Sequence, residues 1–197
     1  MIPFLSWVAL FLLVVSCGGL LLARRRSWRV AWLFVLYLPF AWLLTQVWPP
    51  LMAVLRLFTG WIVVASIGIA LQSAHGGETH DAPFGPDTAF FYLQSLALVI
   101  AIGVGATRPF SSLLNAPAPL VIASVTLLGS GILLFGFNPT AFPYLLGILL
   151  FVNGFELLYA MIESSAFLLF LLTALNLLAG LAIAYHLAEP APRRDEL

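Results

Sequence analysis

Charge is what this sequence lacks most. Its 197 residues carry eight basic and eight acidic side chains, 8% in all, where soluble domains run near roughly 25%. With 62% of the chain hydrophobic, no soluble fold of this length hides so much apolar surface, and lipid must solvate most of it. Lysine is absent. All eight basic residues are arginine and the formal net charge is zero, which leaves no basic field for nucleic acid and excludes it as a partner. One cysteine, Cys17, excludes an internal disulfide and a cysteine-based metal cage. The first twenty residues lack a positive leading region and run past Cys17 into Arg24, Arg25, Arg26 and Arg29. That order suits an anchor rather than a cleaved leader. Val14-Val15-Ser16-Cys17 resembles a lipobox, but the basic residues just downstream oppose export of the chain beyond them.

What is present is long apolar runs. A helix crossing a hydrocarbon core of roughly 30 Å needs about 20 mostly apolar residues, and seven stretches qualify: 2–23, 28–48, 51–71, 88–106, 119–137, 141–162 and 165–187. The expected fold is therefore all-α, a polytopic transmembrane bundle filling residues 1–188 as one domain, with a polar tail at 189–197. Trp48-Pro49-Pro50 and Asn138-Pro139-Thr140 punctuate the spans. Residues 72–87, with Gly76-Gly77 and a proline-rich segment, and 107–118 read as surface loops. Trp28 and Trp48, about 30 Å apart along a helix, suit the two interfacial belts. Ridges of small residues, Ala97, Ala101 and Gly105 on the fourth span and Gly180, Ala184 and Ala188 on the seventh, read as packing seams.

Arginine distribution orients the bundle, because basic residues stay on the cytoplasmic side. With the Arg24 to Arg29 cluster inside, the N-terminus lies outside and seven spans return the C-terminus, with Arg193 and Arg194, to the cytoplasm. Arg56 falls inside the third span, where snorkelling to the outer interface is the simplest expectation.

Ionisable groups in hydrocarbon are functional candidates by default. Glu156 is the acid set well inside a span, and Asn153, Glu156, Tyr159 and Glu163 follow one face of the sixth span at spacings of three, three and four. The sixth and seventh spans are joined so tightly that they must form an antiparallel hairpin. Asn153 then lies level with Asn176, and Glu156 level with Thr173. Such a polar ladder has two readings. The groups either hydrogen-bond each other to hold the hairpin, at about 0.6 kcal/mol per contact, or Glu156 exchanges a proton or binds a cation along a path through Asn153, Tyr159, Thr173 and Asn176.

Asn153-Gly154-Phe155-Glu156-Leu157-Leu158 and Asn176-Leu177-Leu178-Ala179-Gly180-Leu181-Ala182-Ile183 resemble the small K-type membrane subunit of complex I and the related C-type subunit of multisubunit cation/proton antiporters. The resemblance covers about fifty residues and implies that Glu156 matches the first of two intramembrane carboxylates of a proton path. Asn176 stands where the second would be, and the two motifs lie closer together than in that family.

Three further constellations remain. His75, Glu78, His80 and Asp81 are metal-ligand types, but a solvated loop is the simpler reading without a helix or cysteine pair to fix them, so no metal site is assigned. Gln94 reads as a packing hydrogen bond. Gly129-Ser130-Gly131 with His186 resembles the serine and histidine order of rhomboid intramembrane proteases, yet Ser130 sits about 10 Å above the inner end of its helix and His186 almost at it. No catalytic residue and no cofactor is assigned. The expectation is a small, non-catalytic subunit of a larger ion-translocating or redox membrane complex in a bacterial cytoplasmic membrane, with lipid and other membrane subunits as partners. The alternatives are a scaffold or assembly protein with a purely structural hairpin, and a stand-alone small transporter.

Overall fold

The structure, a computed structural model, describes residues 2–73, 86–114, 116–137, 141–162 and 166–188. Seven α-helices fill them: α1 Ile2–Leu22, α2 Arg26–Leu44, α3 Pro50–Ser73, α4 Pro86–Leu114, α5 Ala118–Phe137, α6 Ala141–Ala160 and α7 Ala166–Ala188. All seven are long and apolar enough to cross a membrane, and no strand occurs among the described residues. A helix satisfies its own backbone groups, which is what an element surrounded by lipid must do.

Neighbour contacts close a ring in the order α1, α2, α3, α7, α6, α5 and back to α1, with α4 laid against α5 and α1. α5 is the most buried helix and α4 the least. The outward faces carry large apolar side chains such as Phe58, Phe90, Phe167 and Phe170, the surface a bilayer would wet. Glycine sets the closest approach. A Cβ on Gly131 would meet the Gly147 carbonyl oxygen at 2.7 Å, and one on Gly147 would meet the Gly131 carbonyl oxygen at 2.7 Å, so α5 and α6 touch backbone to backbone as small residues permit.

Several expectations change. α2 stops at Leu44 instead of Trp48: the amides of Gln46 and Val47 bond three residues back, to Leu43 and Leu44, at 3.1 Å, a tightening imposed by Pro49-Pro50, which disfavours helical geometry in the residue before. Trp48, just past the end of α2, is buried in the bundle, whereas Trp28 is exposed. α4 runs on through Pro109 to Leu114, converting most of the loop expected at 107–118 into helix. There the hydroxyls of Thr107 and Ser112 donate to the carbonyls of Val104 (2.6 Å) and Pro109 (2.9 Å). The Ala97, Ala101 and Gly105 ridge faces outward, and α4 approaches α5 through Gly103 against Ile122 instead. On α7, Gly180 is buried against Val63 of α3, with Ala184 half-buried and Ala188 exposed. Gln94 is exposed on α4.

Candidate functional site

Arg56 does not snorkel. It lies six residues past the start of α3 and Glu156 four residues before the end of α6, about 9 and 6 Å along their axes from the same end of the bundle. Their side chains meet there at 1% and 0% exposure. Arg56 Nε donates to Glu156 Oε1 at 2.6 Å and Nη2 to Oε2 at 2.7 Å, the two-pronged geometry in which a guanidinium grips a carboxylate most strongly. The reason lies in topology: α3 abuts α7 and α7 abuts α6, so the inward face of α3 looks at α6, where Glu156 offers a carboxylate at matching height.

A second layer continues from the pair. Arg56 Nη2 also donates to Asn153 Oδ1 at 2.6 Å. Because the guanidinium can only donate, it fixes which way the Asn153 amide faces. Asn153 Oδ1 accepts a very short hydrogen bond from Asn176 Nδ2, Asn176 Oδ1 accepts from the Tyr37 hydroxyl at 3.4 Å, and the Tyr37 oxygen accepts from Asn153 Nδ2 at 3.4 Å. The three side chains therefore form a head-to-tail ring whose sense is set by Arg56. Tyr37 and Phe40 of α2 cover the guanidinium, their ring centroids 5.7 and 5.5 Å from its carbon, within cation–π range. Gly60, one turn beyond Arg56, leaves room for this: any side chain there would overlap the Tyr37 ring. Thr59 completes the setting, its hydroxyl donating to the Arg56 carbonyl at 2.9 Å and lying 3.5 Å from Nη1.

Of the residues singled out from the sequence, Glu156, Asn153 and Asn176 are buried together, and the expected level contact between the two asparagines is present. Glu156 is held by Arg56 and not by Thr173, which is half-buried on α7. Tyr159 is half-buried and packs its ring 5.9 Å from Phe155. Glu163 lies outside the described residues, as do His75, Glu78, His80 and Asp81. Among the described residues no group of His, Cys, Asp and Glu is arranged to hold a metal ion. Ser130 is buried beside Cys17 of α1 while His186 is exposed, so the nucleophile and base a serine protease requires are apart.

Sequence reasoning missed Tyr37, Phe40, Thr59 and the inward turn of Arg56. Arg56 carried the signal: an arginine one to two turns inside a span has snorkelling and pairing as its options, and Glu156 was the acid available at matching depth. The class thus defined is a multi-pass helical membrane protein with a bidentate Arg–Glu pair and an asparagine–tyrosine ring buried among four helices. The chain matches no known protein family, characterised protein or solved structure.

Proposed function

We propose that the chain is a small, non-catalytic subunit of a larger ion-translocating or redox membrane assembly, and that the Arg56–Glu156 pair stands beside a proton or cation path. The single observation that carries this reading is the bidentate pair itself, sealed between α3 and α6. Burying two charges costs several kcal/mol per ion, and hydrophobic replacements of equal volume are often as stable or more so. Stability alone is thus a weak reason to keep the pair. Charge in the membrane interior is otherwise a mark of ion pathways. A cation arriving near Glu156 from a neighbouring subunit would compete with Arg56 for the carboxylate, and its departure would restore the pair. The chain's part is to respond to the moving charge. Resemblance of the α6–α7 hairpin to K-type and C-type subunits supports the same role. With Asn176 hydrogen-bonded in place of a second carboxylate, a complete two-carboxylate relay would need an acid from a partner subunit. By the same reading the N-terminus lies outside and the arginine-rich α1–α2 turn faces the cytoplasm of a bacterial cell, with six of the eight arginines on that side.

One observation favours the scaffold reading instead: the asparagine–tyrosine ring closes on itself, as a purely structural clasp would. Replacing both charges together separates the two. Arg56→Met with Glu156→Leu leaves no unpaired charge and should assemble normally. Proton uptake by membrane vesicles carrying the native assembly, read with a ΔpH-sensitive dye, should then fall to background. Full uptake in the assembled double variant would reject the ion-path role and leave the scaffold.

A further inference from the structure

At the end of the bundle away from the ion pair, the tight α1–α2 turn and the first turn of α2 together carry four of the chain's eight arginines. Two of them point inward. Arg29 is fully buried and its Nε donates to the Ala23 carbonyl at 2.9 Å, satisfying a carbonyl at the end of α1. Arg26 sits 5.6 Å from the Phe142 ring centroid of α6. Arg24 and Arg25 are exposed and, with Gly19, Leu22, Ala23, Trp28 and Trp32, line an open groove of about 370 Å³. Gly19 is required for its shape, because any Cβ there would run into the Trp32 indole lying across it.

The groove is chemically two-ended. Two guanidinium groups stand at the turn, and the wall running along the helices toward the bundle's middle is leucine and indole. A free anion would use only the first end, and a hydrocarbon only the second. Arginine forks match phosphate oxygens, indole rings favour the boundary between headgroups and acyl chains, and basic pockets between membrane helices take anionic headgroups. We infer that this groove binds one anionic phospholipid, its phosphate on Arg24 and Arg25 and an acyl chain along Leu22, Trp28 and Trp32. The inference is independent of the ion-path reading, since the groove and the buried pair share no residue.

The test uses the full chain, purified in detergent and stripped of lipid, titrated with phosphatidylglycerol or phosphatidylcholine carrying brominated acyl chains that quench tryptophan fluorescence on contact. Phosphatidylglycerol should quench at concentrations about 25-fold below phosphatidylcholine, and the Trp28→Phe/Trp32→Phe variant should lose that high-affinity phase. At roughly one factor of five per surface arginine, Arg24→Gln/Arg25→Gln should weaken phosphatidylglycerol binding about 25-fold, to the level of phosphatidylcholine. Inorganic phosphate should not compete. Equal quenching by the two lipids, retention of the preference in the double arginine variant, or displacement of phosphatidylglycerol by inorganic phosphate would each overturn the inference.

Discussion

Two contacts of α6 solve the same problem in opposite ways. Toward α5 it presents Gly147 and Gly154, and the helices meet backbone against backbone. Toward α3 and α7 it presents Asn153 and Glu156, and the helices meet through a charged and amide network. In lipid the apolar faces of two helices gain nothing from leaving water, so close van der Waals packing and polar pairing are the remaining sources of attraction. The glycine seam depends on shape alone and is indifferent to charge. The polar junction depends on having every partner in place.

That contrast can be broken most severely on the polar side. Glu156→Gln leaves Arg56 buried without its counter-charge, and removing one partner of a buried pair costs about 3–5 kcal/mol. The variant should lose monodispersity in detergent at a temperature well below the parent, read by size-exclusion after heating. A Glu156→Gln protein as heat-stable as the parent would mean that the guanidinium finds water or lipid phosphate. The seam should break less. Gly131→Leu forces side-chain atoms onto the α6 backbone, an overpacking cost of about 1–3 kcal/mol, and its loss of stability should be the same at low and high salt. Smallest is the outer rim of the network. Asn176→Leu removes its bonds to Tyr37 and Asn153 at about 0.6 kcal/mol per contact, so a thermal shift as large as that of Glu156→Gln would show the ring and the ion pair to be one cooperative unit.

Much of this architecture could be read from residue order alone, because lipid removes most alternatives. Apolar runs of the required length have one backbone solution, and the seven helices result. Boundaries failed where local chemistry competed with hydropathy: Pro49-Pro50 pulled the end of α2 back to Leu44, and α4 continued through Pro109 to Leu114 where proline and polar residues had read as a loop. At the site, the α6–α7 hairpin was legible because a short turn fixes relative depth, which is why Asn153 and Asn176 could be paired. The identity of Glu156's partner was not. It belongs to α3, one hundred residues earlier, and only the ring order that sets α3 beside α7 brings it there. Tyr37 was hidden for the same reason, being a single polar tip on an oily helix with no sequence neighbour to mark it.

The distance along the chain between Arg56 and Glu156 also constrains biosynthesis. α3 leaves the ribosome one hundred residues ahead of its counter-ion, which at about 5–20 residues per second is a wait of roughly 5–20 s. During that interval an arginine one to two turns inside its span, costing at most about 2.5–3.5 kcal/mol, has no acid to meet, so until α6 arrives Arg56 must snorkel to the interface or α3 must linger at the insertion machinery or ride shallow in the bilayer. Its final depth is a late event, decided by a helix that has not yet been made when α3 first touches lipid.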